Sequence, residues 1–278
     1  MKNEEKLLIQ FFIFTFAIGW FVPGSFLLIA KFSSLSFSFE EGSLLSLVSI
    51  WSPAISAFIT ITLNYDFKVL LKYLKKIIRV EGHWGWFLGL LFFFPLISLI
   101  SSLLLQYFTG KGFSFPSLTL KAFMFAILVK MIGGPIEEIG WRGFALPLLQ
   151  RNYSGLVAAV IIGCFWALWH VPAFFISSVM TGSLTGHIVI VLIRFFIGVT
   201  ATSIFLTILY NGTGGCIVAT MLYHWIMNLP YPWESKAGIS MMQDIVSVII
   251  VIIILFSILR KKYLEKKNLA TEVIQNVI

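Results

Sequence analysis

The sequence predicts an all-α, polytopic transmembrane helical bundle of about eight spans, with both termini on the cytoplasmic side. Three observations predict it. Of 278 residues, 59% are hydrophobic and 12% charged, with a mean hydropathy of +0.95; a soluble globular chain carries about 25% charged residues. The apolar residues gather into runs of about the twenty that a helix needs to cross a bilayer. The basic residues sit between those runs and favour one side. This composition excludes a soluble enzyme, a disordered chain and a disulfide-stapled secreted domain.

The spans read as about 7–30, 43–63, 84–108, 118–133, 154–176, 187–210, 215–230 and 242–259. The first lacks a short apolar core followed by a small-residue cleavage site, so it reads as a retained span rather than a signal peptide. Residues 64–83 read as a basic amphipathic stretch on the cytoplasmic surface, with Leu70, Leu71, Leu74, Ile77 and Ile78 at helical spacing among lysines. The fourth span is short because Gly133-Gly134-Pro135 interrupts it, and a further helix over 136–150 follows in or at the edge of the membrane. After the eighth, the RKKYLEKK stretch reads as a stop signal and cytoplasmic tail. The whole of 1–278 is read as a single transmembrane domain.

Charge placement supports this layout. The cytoplasmic pieces carry Lys2, Lys6, Lys68, Lys72, Lys75, Lys76, Arg79, Arg151, Arg260, Lys261, Lys262, Lys266 and Lys267; the outer pieces carry Lys31, Lys111, Lys121 and Lys236. Thirteen against four is a positive-inside bias and favours an even number of spans. Lys130, Arg142 and Arg194 fall inside spans. The net charge of +8 forms no aromatic-and-basic face, so nucleic acid is not an expected partner. Cys164 and Cys216 lie in apolar segments without a CxxC and read as small buried hydrophobes. Internal repeats and the paired broken helices of transporters are absent, and the intramembrane charges gather at one depth instead of tracing a path.

Of the twelve acidic residues, only Glu137 and Glu138 lie well within an apolar body, in GGPIEEIGWRGFALPLLQ. A carboxylate at that depth costs at least about 2.5 kcal/mol and usually marks function. Pro135 suits the first helical position, where its missing N–H is no loss. Glu138 and Arg142 are four apart and share a face, as an ion pair requires. Glu137 is rotated about 100° away and has no such partner on its own helix, which leaves a carboxylate able to exchange a proton.

Of the four histidines, His83 and His187 stand at span edges and read as interfacial. His170 ends FWALWH before Pro172, and His224 lies in YHWIMN with Asn228 one turn later. Two histidines, an asparagine and an unpaired glutamate, all polar inside lipid, are most economically a single cluster. Glutamate with histidine can deprotonate water or bind a metal that does so. Histidine and asparagine four apart can offer N–H donors to an oxyanion. These are the parts for hydrolysing an amide. The sequence contains neither G-x-S-x-G nor HExxH, which disfavours a serine hydrolase and excludes the usual zincin arrangement.

The stretch Glu137-Glu138-Ile139-Gly140-Trp141-Arg142 is similar to the EExxxR motif of the CAAX-protease and bacteriocin-processing (CPBP, Abi-like) family of intramembrane proteases. Trp166–His170 resembles the family's FxxxH, and His224–Asn228 its HxxxN. The resemblance covers about 118–230; the earlier spans resemble the family only as generic helices. It implies a bundle, often of eight spans, around a chamber open to the cytoplasm. It implies that Glu137 activates water with His170 assisting, that His224 and Asn228 stabilise the oxyanion, and that Glu138 and Arg142 form a structural ion pair. It leaves open zinc held by Glu137, His170 and His224 or water alone. Trp166 stands where the family has Phe, and is expected to alter pocket shape without touching the polar residues. The expected substrate is a peptide or membrane protein, and membrane lipid is the surroundings. The composition, rich in Lys, Ile and Phe, points to a low-GC bacterial plasma membrane, where a CAAX-type substrate is not implied. The alternative reading is a non-proteolytic peptide-binding or bacteriocin self-immunity protein of the same fold; a transporter or metal carrier is the third.

Overall fold

The computed structural model describes residues 3–33, 43–80, 82, 84–110, 119–180, 188–229, 253, 264 and 265. Among them, all regular structure is helical. Helix α1 (Asn3–Phe16) runs through a π turn at Ala17–Phe21 into α2 (Val22–Phe32). Pro23 lies in the first turn of α2 and has no N–H to give back to residue 19. The Ser49 hydroxyl donates to the Gly19 carbonyl instead, at 2.9 Å.

The single span expected at 43–63 is corrected: it is two helices, α3 (Leu44–Ile50) and α4 (Ser52–Asn64), bent by 59° about Trp51. Ser43 starts the first by accepting the Ser46 N–H. Pro53 explains the break, since proline lacks a donor and disfavours helical geometry in the residue before it. Asp66 caps α5 (Phe67–Ile77) by accepting the Val69 N–H at 3.0 Å. This helix occupies the expected amphipathic stretch. Tyr73 and Ile77 pack inward, while Leu71 and Leu74 are exposed beside Lys68, Lys72 and Lys75. Ile78, expected on the apolar face, is 76% exposed because it follows the helix's last turn.

Helix α6 (Trp84–Thr109) contains Pro95, and α7 (Leu120–Ile132) has thirteen residues. A 3₁₀ turn at Gly134–Ile136 leads into α8 (Glu137–Gly140), a π turn at Trp141–Ala145 and α9 (Leu146–Gln150). The expected 136–150 helix is therefore interrupted by a turn whose hydrogen bonds reach one residue further, as in Leu146 N–H to Trp141 C=O. Helix α10 (Gly155–Trp169) starts at Ser154, whose hydroxyl accepts the Val157 N–H, and passes through a turn residue, His170, into α11 (Val171–Met180). Helix α12 (Ile188–Gly212) turns into α13 (Ile217–Met227) through Gly214 and Gly215, both at positive φ.

Among the described residues, Asn3–Phe26, Gly155–Phe175 and Val189–Gly212 are long and apolar enough to cross a membrane, and the bent α3–α4 pair makes a fourth if it is one span. The expected seventh span holds an apolar helix of eleven residues, about 17 Å long against a hydrocarbon core of about 30 Å. The eighth, the basic tail and His83 and His187 lie outside the described residues, except for isolated positions.

The segment that carries the two glutamates is the centre of the molecule. Residues 137–150 are buried without interruption. It packs against α1, α4, α10 and α13. Two glycines permit this. Gly140 lies so close to Pro53 of α4 that a Cβ would collide with the Pro53 backbone. At Gly143 a Cβ would stand 2.8 Å from the Tyr73 hydroxyl, which donates to the Ile139 carbonyl on the same segment. Burial pushes the Tyr73 phenol well up from its ordinary range, with Tyr210 adding to the effect, so it remains a donor. Gly140→Ala is expected to destabilise the protein by about 1–3 kcal/mol, because the colliding atoms are backbone. Gly24→Ala, which meets nothing within 4 Å, should unfold like wild type. Thermal unfolding of the two variants in detergent checks the difference.

Candidate active site

Glu138 and Arg142 are both fully buried on consecutive turns of the central segment. Arg142 Nη1 lies 3.1 Å from Glu138 Oε1 and 3.0 Å from Oε2. Oε1 also lies 2.8 Å from Nδ1 of His224 on α13. An ionised carboxylate only accepts, so the His224 Nδ1–H donates. The other ring nitrogen, Nε2, is not engaged by Glu138: it donates when the ring carries both protons and accepts when it carries one. Glu138 thus holds an arginine and a histidine together, where spacing alone gave it only the arginine.

His224 and Asn228 both come against Gly134. A Cβ there would stand 2.5 Å from His224 Nε2 and 2.8 Å from Asn228 Nδ2. The glycine before Pro135 therefore does more than allow a turn, since its missing side chain makes room for both polar groups. This was not legible beforehand, because it depends on a chain segment ninety residues away in sequence.

Glu137 is 3% exposed and accepts the indole N–H of Trp166 at Oε2, at 2.7 Å. The expectation that Trp166 leaves the polar residues untouched is overturned. The indole carries a donor that phenylalanine lacks, and its ring reaches three further members of the cluster. Arg142 Cζ lies 4.7 Å from the ring centroid. The His224 ring meets it edge to face at 5.4 Å. The Trp166 carbonyl receives the His170 Nδ1–H at 2.9 Å, which leaves His170 Nε2 with the lone pair in a neutral ring.

His170 is half-buried at the α10–α11 junction, with its ring edge-to-face on Trp169 and Phe195. Among the described residues no hydrogen bond joins it to Glu137 or His224; Trp166 stands between them. Further indoles fix the wall behind it. Trp169 Nε1 donates to Ser52 Oγ at 3.0 Å, and Trp20 Nε1 donates to the Trp169 carbonyl at 3.0 Å.

The geometry therefore brings Glu137, Glu138, Arg142, Trp166 and His224 into one buried group with the half-buried Asn228, and His170 is attached at its edge. Among the described residues no group of three or more His, Cys, Asp and Glu side chains is placed to hold a metal ion. Glu137, His170 and His224 are not gathered into such a group in this arrangement. Trp166 occupies Glu137 Oε2 and packs against the His224 ring.

An apolar helical bundle with buried carboxylates, one buried and one half-buried imidazole and a half-buried amide in its interior defines a multi-pass membrane protein with an internal polar cluster. Residues 118–230, which hold all three polar motifs, match the family described as type II CAAX prenyl endopeptidase Rce1-like. A stretch of 143 residues is 28% identical to CAAX prenyl protease 2 of Methanococcus maripaludis, covering 49% of this chain and 51% of that protein. The chain thus spans about half the length of the curated relative it matches. Over these residues it is similar to that family and to that relative.

The contacts assign different stability costs to the two glutamates' partners. Arg142→Ala leaves Glu138 a buried carboxylate with one partner fewer and is expected to cost about 3–5 kcal/mol. Glu137→Ala leaves the Trp166 N–H without an acceptor, about 1–3 kcal/mol. Equal unfolding temperatures for the two purified variants would contradict this division.

Proposed function

We propose that the chain is an intramembrane endopeptidase with about eight spans and both termini cytoplasmic, in a cell membrane. The observation that carries this reading is the buried Glu137 carboxylate. One of its oxygens is engaged by Trp166, and its neighbour Glu138 is committed to Arg142 and His224. The match of residues 118–230 to a protease family supports the class of reaction. The curated relative is named for prenylated CAAX proteins; for this chain the substrate class proposed is a peptide or membrane protein that reaches the site from the bilayer or its cytoplasmic face.

In the proposed reaction Glu137 takes a proton from water through its unengaged oxygen, and the hydroxide adds to the scissile carbonyl carbon. Asn228 Nδ2 and, when the ring carries both protons, His224 Nε2 donate to the oxyanion. The C–N bond then breaks as the departing amine takes the proton held by Glu137. His170 assists through Nε2, its Nδ1 being fixed by the Trp166 carbonyl. Glu138 and Arg142 hold His224 in place and take no part in the proton transfers. A zinc-assisted version would need Glu137, His170 and His224 to close onto one ion, and no step here is routed through it.

The test compares peptide termini in membranes containing wild type or Glu137→Gln at matched protein level. Termini produced only by wild type support proteolysis and name the substrate; their survival in a chelator argues for water alone. Identical profiles in cells that depend on the protein would sink the proteolytic reading and favour a protein that binds a peptide without cutting it. Asn228→Ala is expected to lower kcat about 100-fold or more with folding intact, the usual size of losing one oxyanion donor. Steady-state kinetics on a peptide identified from those termini checks this.

A further inference from the structure

Trp166 is 2% exposed, and every part of it is engaged within the site. Its N–H meets Glu137, its ring lies by the Arg142 guanidinium and the His224 edge, and its carbonyl takes the His170 proton. The N–H is a single donor committed to a single oxygen. A ring of similar size without it would fill the space and leave Glu137 with no partner at Oε2.

What Glu137 would do then follows from Arg142. Among the described residues, Arg142 Nε and Nη2 are buried and have no hydrogen-bond partner. These are two charged donors on the central segment that already carries both glutamates. A buried carboxylate released from the Trp166 N–H would turn toward such a cation, since an unpartnered charge in an apolar interior is costly. Trp166 opposes that turn in two ways. Its N–H holds Oε2, and its ring occupies space beside the guanidinium carbon.

We propose that Trp166 is a positioning residue that keeps Glu137 out of an ion pair with Arg142, with Oε2 tied to the indole and Oε1 presented to water. The two adjacent glutamates keep separate tasks because an indole stands between one of them and the arginine. The kinetic consequence rests on the endopeptidase reading; the contact itself does not.

Trp166→Phe removes the N–H and keeps an aromatic ring beside Arg142. With a fluorogenic peptide ending in a prenylated Cys-aliphatic-aliphatic-X sequence as probe, kcat is expected to fall about 10- to 100-fold, the size of losing one hydrogen bond to a charged group. KM is expected to stay within about twofold, as for an interaction that acts on the reacting group rather than on substrate binding. A wild-type kcat in Trp166→Phe, or a change confined to KM, would overturn the proposal. The second measurement needs no turnover and no folded Trp166 variant. The full-length protein, with tryptophan labelled in ¹⁵N, has nine indole N–H groups. One resonance in the hydrogen-bonded range should move in Glu137→Ala, and Trp166→Phe, where folded, should delete that same resonance. If no indole signal responds to Glu137→Ala, the contact is absent and the proposal fails. If wild type leaves the probe intact while the indole does respond, the proteolytic reading for that peptide fails and the contact stands.

Discussion

The carboxylate of Glu138 is the interaction on which the site depends. It has no exposure to solvent, and a charge so placed is tolerable only if partners surround it. Arg142 comes from its own segment and His224 from a helix 86 residues further on. One side chain therefore neutralises the arginine, orients the imidazole and fixes α13 against the central segment. Both oxygens of Glu138 are used up in this way. Its neighbour in sequence, pointing elsewhere, accepts its hydrogen bond from an indole instead.

The scaffold holds that arrangement by bringing backbones close together. Gly134, Gly140 and Gly143 each occupy a place where a methyl group would collide with another element. The π turn at Trp141–Ala145 begins within the interval between Glu138 and Arg142, and Tyr73 supplies an outside donor to the carbonyl of Ile139 just before it. π turns recur at functional sites because they reset the direction of side chains within a helix. Here the reset falls on the segment that must present Glu137, Glu138 and Arg142 to three different surroundings.

Local spacing made the helical class and the Glu138–Arg142 pair legible in the sequence. Both rest on patterns repeating within one or two turns. The polar residues worth watching could also be chosen in advance, since charge inside an apolar run is conspicuous. Their pairing could not. Glu138 with His224, Trp166 with Glu137 and Tyr73 with Ile139 join residues 86, 29 and 66 apart, and no periodicity encodes such contacts. Trp166 was underestimated for a specific reason: judged by size it resembles phenylalanine, and only the packed structure shows where its single N–H points. The bend at Trp51 had a visible cause in Pro53, but an apolar run of ordinary length concealed it. The short α13 was concealed likewise, because hydropathy records what a segment would tolerate and not how long its helix is.

Two of the tryptophans outside the catalytic group bear on how the bundle is dried. A helix leaves its last carbonyls without internal partners, and in hydrocarbon no water is present to meet them. The carbonyl of Trp169, the last residue of α10, receives the Trp20 indole, and that of Ile132, the last of α7, receives the Trp51 indole at 2.6 Å. Side chains, not solvent, satisfy these two carbonyls. The ends of α10 and α7 are thereby pinned to the π turn that holds Trp20 and to the bend at Trp51, so the register between these elements is set by where an indole can reach.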